Sequence, residues 1–309
     1  MERAGADLAR LLRTLEPDVV HAHYVRRWGW QAARAGVHPL VVTPWGSDLL
    51  RTPWWGLRTR FWNRFALRSA DLITVSSEGM RRAAVNAGAR AKRVELVNHG
   101  VDTTRFSPGP PRATMVEADD APIIVSPRTV RPLYRQEVVV DAVAAITSSE
   151  RRPLLVMSAR GADPATLTAV RERAAARGID DRLRILDDVA HDELPDLFRL
   201  ADVVVSVPDT DSFPLTVLEA MACGVPVVVS DLPAVTPVIG PLDPLAAELV
   251  VGVGDVGATA VALDRALRLT DAERARLGQA LRAFVVRTAD HDTNMTRMEA
   301  LYRRLAAPA

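Results

Sequence analysis

The sequence predicts an α/β protein made of two doubly wound parallel-sheet domains, and three observations predict it. Short, nearly continuous apolar runs such as Leu40-Val41-Val42 and Leu72-Ile73-Thr74-Val75 suit strands covered by helices on both faces. Helical stretches alternate with these runs along the chain, the pattern of parallel strands joined by crossovers. A polar, proline-rich break at residues 104–122 divides the pattern into two series; it holds Ser107-Pro108-Gly109-Pro110-Pro111 and the acids Glu117, Asp119 and Asp120. At 309 residues the chain has enough material for two cores of ordinary size.

The first series opens with Leu8, Leu11, Leu12 and Leu15 at helical spacing, stopped by Pro17. Strands are expected at residues 18–24, 39–44, 70–76 and 93–98. After the break, strands are expected at 123–126, 154–158, 183–186, 203–207, 225–229 and 249–253. Two long helices, at about 271–288 and 292–305, follow them. The expected division is therefore 1–110, 111–290 and a closing helix at 291–309 that packs back toward the first domain. Sheets of this kind bind ligands beyond the carboxyl ends of their strands, so the site is expected in the cleft between the two domains.

Composition narrows the function. Lys plus Arg number 39 against 38 Asp plus Glu, a net charge of +1, so no overall field recruits nucleic acid. Cys223 is the only cysteine, which excludes a disulfide within the chain and a cysteine-based zinc site. The first 20 residues carry Glu2, Asp7, Glu16 and Asp18 without an apolar core, and no run of about 18 apolar residues follows. A cytoplasmic protein is expected, and no metal cluster is visible.

The most informative stretch is Asp209-Thr210-Asp211-Ser212-Phe213-Pro214-Leu215-Thr216-Val217-Leu218-Glu219, continuing through Ala220-Met221-Ala222-Cys223-Gly224-Val225-Pro226-Val227. Ser212 suits an N-cap, Pro214 a first helical turn and Gly224 a stop. A loop then carries Asp211, and a short helix carries Glu219. The helix start, around Phe213, Pro214, Leu215 and Thr216, offers partial positive charge to a diphosphate, and the two carboxylates can accept hydrogen bonds from sugar and ribose hydroxyls. Read locally, Asp211 as a plain helix-start acid and Glu219 as a solvated residue fit equally well.

Other residues invite similar pairs of readings. His23, at a strand's carboxyl end, can point into a cleft or simply satisfy the strand end; His21, two residues earlier on the same face, is its alternative. In Ser126-Pro127-Arg128-Thr129-Val130-Arg131-Pro132-Leu133-Tyr134-Arg135, the guanidinium groups can grip phosphate in two-point fashion or lie on the surface. Residues 51–68 interleave Trp54, Trp55, Phe61, Trp62 and Phe65 with five arginines. That segment is either an interfacial membrane helix, giving a membrane-peripheral protein, or an amphipathic helix packed on its own sheet.

The stretch from Asp211 to Val227 resembles the donor-site signature of family 4 glycosyltransferases, in which two acids lie eight positions apart before an Ala-Met-Ala-Cys-Gly-Val-Pro-Val run. Asp18-Val19-Val20-His21-Ala22-His23-Tyr24, Thr43-Pro44-Trp45-Gly46-Ser47-Asp48, Ala70-Asp71-Leu72-Ile73-Thr74-Val75-Ser76-Ser77 and Val97-Asn98-His99-Gly100-Val101-Asp102 resemble the family's first-domain blocks in order and distance. The resemblance implies two Rossmann-like domains in the GT-B arrangement, the first on the acceptor side and the second binding the donor. It also implies sugar transfer from a nucleoside diphosphate sugar, as co-substrate, to an acceptor hydroxyl with retention of configuration, using no cofactor and no metal.

On that resemblance His23 and Asp211 are the catalytic candidates, while Arg128, Arg131, Phe213, Pro214, Leu215 and Glu219 bind the donor. Asp211 stands where the family has glutamate, Pro214 where glycine is commoner, and Leu133 where a lysine pairs with the arginine; Arg131 or Arg135 is left to supply that charge. The acceptor stays open among a glycan, a lipid-linked glycan and a small molecule. Family members place further strands and a glycine-rich loop ahead of the block at Asp18. The first domain is therefore expected to be truncated, with an exposed sheet edge for a partner chain or a homodimer to cover. A non-catalytic auxiliary partner of a glycosyltransferase and a nucleotide-sugar epimerase are the competing readings.

Overall fold

The structure is a computed structural model that describes residues 2–50, 56–111, 115–117, 120–146 and 152–307. Trp54, Trp55 and Asp119 lie outside the described residues. The chain forms two compact units: one of residues 1–100, 210–213 and 291–309, the other of residues 101–209 and 214–290.

The first unit contains α1 (Glu2–Leu15), β1 (Val20–His23), α2 (Trp30–Arg34), β2 (Leu40–Thr43), α3 (Ser47–Leu50), α4 (Leu57–Ser69), β3 (Leu72–Val75), α5 (Glu78–Asn86) and β4 (Val94–Leu96). Its four strands are parallel and lie side by side in sequence order. Register pairs Val20 with Leu40, Val41 with Leu72 and Ile73 with Val94. Side-chain alternation divides these strands between two cores. Leu40, Val42, Ile73 and Val75 pack with Ala66, Leu67, Met80 and Ala84 on one face. Val41, Leu72 and Val97 meet Leu301, Met298, Tyr302 and Leu305 of the closing helix on the other. That helix begins where Gly100, at φ 86°, passes the backbone of His291: a Cβ there would lie 2.5 Å from the His291 Cα. Among the described residues, β1 is an edge strand.

The second unit runs β5 (Ile123–Ser126), α6 (Gln136–Ile146), β6 (Leu154–Ser158), α7 (Pro164–Ala176), β7 (Leu183–Leu186), α8 (Leu194–Leu200), β8 (Val203–Ser206), α9 (Leu215–Ala222), β9 (Val227–Ser230), α10 (Thr236–Ile239), α11 (Pro244–Glu248), β10 (Val250–Val251), α12 (Val256–Leu267) and α13 (Asp271–Thr288). The closing helix of the first unit is α14 (His291–Ala306). Strand order is β10-β9-β8-β5-β6-β7, all parallel. The chain moves outward from β5 to β7 and then returns to β5's other side, so the strand order reverses at β5, which makes this sheet doubly wound. The expected strands at 123–126, 154–158 and 183–186 match β5, β6 and β7 residue for residue.

Helix α13 starts from a capping box in which the Thr270 side chain and Glu273 satisfy each other's backbone donors. It then lies against the turn after α9 so closely that a Cβ on Gly278 would sit 2.5 Å from the Gly224 carbonyl oxygen. One turn on, Arg282 donates to the carbonyls of Thr103, Phe106 and Ala222, tying the segment after Gly100 to this unit. No helix among the described residues is long and apolar enough to cross a membrane.

Candidate functional site

In the second unit the chemistry gathers around α9 and the carboxyl ends of β5 and β6. Phe213 takes a left-handed backbone, φ 109°, and Pro214 then caps α9. Ser212 was expected as the cap, but its hydroxyl instead donates to the Trp45 carbonyl, and the N-cap position falls to Pro214, whose side chain accepts no hydrogen bond. Within the first turn of α9, Thr216 Oγ1 accepts a 3.4 Å hydrogen bond from Arg128, whose guanidinium lies 4.2 Å from the centre of the Tyr134 ring. The loop that carries Arg128 is held from below by Gln136, fully buried, which donates to the carbonyls of Arg128 and Thr129.

The other two arginines of that loop have protein partners. Arg131 donates twice to the Gly161 carbonyl. Arg135, itself left-handed at φ 55°, pairs with Asp209 at 2.6 Å and Glu137 at 3.2 Å.

Glu219 is not solvated. It is 6% exposed, and its Oε1 lies 3.1 Å from His191 Nε2. Burial pushes its carboxyl above the usual carboxylate range, and the bond to His191 pulls the other way. His191 sits edge-on to Phe106 and lines a cavity of about 420 Å³ together with Ser126, Thr129, Ser158, Arg160 and Val189. That cavity lies beyond the carboxyl ends of β5 and β6, beside the reversal of strand order, where open parallel sheets receive ligands.

The sequence reading missed His191, Arg160 and Ser158. A signal existed: residues 187–193 directly follow a correctly placed strand and carry a histidine beyond its carboxyl end. The carboxyl-end rule applied to β7 would have drawn attention to them.

In the first unit the histidines divide by environment. His21 is bolted on both ring nitrogens, to Tyr302 Oη at 2.5 Å and Thr43 Oγ1 at 2.7 Å, and the Thr43 hydroxyl meets that of Thr74. Burial, with smaller contributions from His23 and His99, lowers its pKa from 6.5 to about 4. His23 lies at the exposed end of β1 and accepts a hydrogen bond from the Trp45 indole N–H at 3.1 Å. His99 stacks on the other ring system of this group, with its centroid 4.3 Å from that of Trp45 and planes 13° apart. Burial lowers the pKa of His23 and of His99 too, so all three imidazoles are neutral near pH 7.

The loop under these rings is over-determined. Asp48 is buried and accepts from the backbone N–H groups of Val25 and Trp45. Burial raises its pKa against the opposing pull of those bonds. Tyr24, at φ 73°, starts a π-helical turn (Tyr24–Gly29) directly after His23, a strained geometry that persists only where neighbours impose it. Asp211 belongs to the same unit. Its Oδ1 accepts the Ser212 N–H at 2.7 Å, and the segment is pinned by Ser76 Oγ donating to the Ser212 carbonyl at 3.0 Å.

The structure thus gathers His23, Trp45, His99 and Asp211 in one unit, and Arg128, Thr216, Glu219 and His191 in the other. Among the described residues no group of three or more His, Cys, Asp or Glu side chains could hold a metal ion.

Comparison with known proteins agrees with this architecture. The family model of glycosyl transferases group 1 matches residues 112–284, more than half of the chain, and that of glycosyltransferase family 4 matches residues 2–105. The D-inositol 3-phosphate glycosyltransferases of Mycobacterium tuberculosis and Mycobacterium bovis are 28% identical over 304 residues, covering 93% of this chain and 62% of theirs. The chain therefore spans less than two thirds of those relatives. Sucrose-phosphate synthase from Thermosynechococcus elongatus superposes with a TM-score of 0.84 at 21% identity, covering 98% of this chain and 77% of that one. The Anabaena protein HepE, solved in complex with UDP-glucose, superposes at 0.81 and 17% identity, covering 97% and 82%. Two parallel-sheet units in the GT-B manner and a family match over most of the second unit lead to one statement: the chain belongs to the glycosyl transferases group 1 family.

Proposed function

We propose that the chain is a glycosyltransferase that moves a sugar from a nucleoside diphosphate sugar to an acceptor hydroxyl, with retention of configuration. The observation that carries this reading is Glu219: a buried carboxylate bonded to His191, which itself lines a cavity beside the reversal of strand order. A buried carboxylate with an oxygen to spare is suited to a ribose diol, and the cavity has the volume of a small-ligand site. Arg128 and the first turn of α9 then face the diphosphate.

The UDP-glucose complex of HepE makes uridine the first base to test. In the reaction, the bond from the anomeric carbon to the diphosphate oxygen breaks with its electron pair on that oxygen. The acceptor oxygen bonds to the same carbon, and its proton leaves with the diphosphate. Arg128 and the α9 N–H groups stabilise the charge that develops on the leaving group, while His23 and Asp211 orient the sugar. Retention rests on the family resemblance and is read from the anomeric configuration of the product.

Calorimetric titration with UDP, GDP and their sugar conjugates tests the donor side, and acceptor-dependent consumption of the sugar nucleotide tests transfer. Glu219→Ala is expected to weaken the preferred nucleotide by about tenfold or more, as loss of a charged hydrogen-bond partner does. Unchanged affinity in that variant overturns the assignment.

A further inference from the structure

The exposed face of α4 carries large apolar side chains and positive charge together, with no acidic residue in the helix. Leu57, Phe61 and Phe65 are 82%, 65% and 40% exposed. At 100° per residue they lie within about 80° of one another around the helix axis. Arg60 and Arg64 border this stripe on one side, Arg58 on the other, and Arg68 continues it, all four exposed. Among the described residues none of these arginines has a carboxylate partner; Arg58 lies 4.8 Å from the Trp62 ring centre.

Its opposite face explains why the helix is anchored. Asn63, Ala66 and Leu67 are buried, Asn63 donates to the Asp48 carbonyl, and Trp62 meets Trp30 at 5.4 Å between centroids. The π-helical turn at Tyr24–Gly29 packs against α4 and adds Trp28, 44% exposed, with Arg27 stacked 4.6 Å from its ring. Residues 24–34 likewise hold three arginines and no acid.

We propose that α4, flanked by the Tyr24–Gly29 turn, is a docking surface for an anionic lipid bilayer, with Leu57, Phe61 and Phe65 entering the interface and the arginines meeting lipid phosphates. The choice of a bilayer follows from the two properties together. A polyanion such as nucleic acid needs the charge but gains little from solvent-facing phenylalanines, and a protein groove needs the apolar stripe but not a one-sign rim. A chain with net charge +1 does not produce this pattern by overall basicity.

The test is co-sedimentation of the full chain with vesicles of phosphatidylcholine alone and of phosphatidylcholine mixed with phosphatidylglycerol, at low and high salt. The expected result is binding only to the mixed vesicles. It should be reduced about tenfold or more in Phe61→Gln/Phe65→Gln and about fivefold per charge in Arg60→Gln/Arg64→Gln/Arg68→Gln. Melting curves confirm that these exposed substitutions leave the fold intact. No binding to mixed vesicles overturns the proposal. So does binding that Phe61→Gln/Phe65→Gln leaves unchanged, which would mark a purely electrostatic or different surface. Heparin binding equal in wild type and in that variant, without vesicle binding, overturns it in favour of a polyanion.

Discussion

The carboxyl ends of the two sheets solve different problems with similar residues. At the end of β1, neutral imidazoles and an indole hold one another in place, and the buried carboxylate of Asp48 is spent on backbone N–H groups. Beyond β5 and β6, a buried carboxylate pairs with a histidine beside an open cavity, and an arginine reaches a helix start. The first arrangement is suited to orienting a neutral, hydroxyl-rich group. The second is suited to binding an anionic nucleotide. The difference teaches that binding and chemistry should be separable by mutation.

The largest expected effect follows from that separation. On the proposed reading, His23→Ala lowers kcat by about 10²–10³, the range for losing one aligned group at a reaction centre. Because His23 is exposed at a strand end, UDP affinity in the same variant should stay within about twofold of wild type. Calorimetry and turnover measured on one preparation check both halves. Normal turnover without His23 would remove it from the chemistry and collapse the contrast between the two sheet ends.

His21 sharpens the comparison from the other direction, because two residues away on the same strand it serves the fold. His21→Ala removes both bolts and leaves the Tyr302 and Thr43 hydroxyls to find new partners, so a loss of about 2–3 kcal/mol in stability is expected. Its pKa gives an independent check. The folded value, about 4, is below the ordinary 6.5, so the unfolded chain binds more protons through that window. Stability is therefore full above the ordinary value and falls as pH drops from about 6.5 to 4, by on the order of 3 kcal/mol at most. His23 and His99 add with the same sign. A melting temperature that falls across this window in wild type and falls less in His21→Gln supports the assignment; parallel curves refute it.

Much of this was legible in the sequence where the signal is local. Runs such as Ile123-Ile124-Val125 and Val203-Val204-Val205 have few alternatives to buried parallel strands, and they became β5 and β8. Glu219 was placed on a short helix correctly, but its burial was not visible, because His191 comes from a loop 28 residues earlier. Separation hides the role of His21 more completely: its partner Tyr302 is 281 positions away. The N-cap expectation failed at Ser212 for a tertiary reason. Trp45 and Ser76 recruit its polar atoms, and the left-handed Phe213 shifts the helix start to Pro214. Similarly, the four residues 210–213 join the first unit although the chain on either side of them belongs to the second, which no local pattern records.

The smallest expected effect concerns the arginines of the β5 loop. A guanidinium contributes to phosphate binding only if its donors are available when the ligand arrives. Arg131 has two of its donors on the Gly161 carbonyl, and releasing them would cost about as much as one new charged contact returns. The Arg128 hydrogen bond to Thr216 is long, 3.4 Å, a geometry that a charged phosphate oxygen improves on. Arg131→Ala should therefore change UDP affinity by less than about twofold, against about tenfold for Arg128→Ala. Equal losses in the two variants would mean that the Gly161 contact gives way on binding and that Arg131 supplies the charge missing at Leu133; equal indifference would move the diphosphate away from this loop altogether.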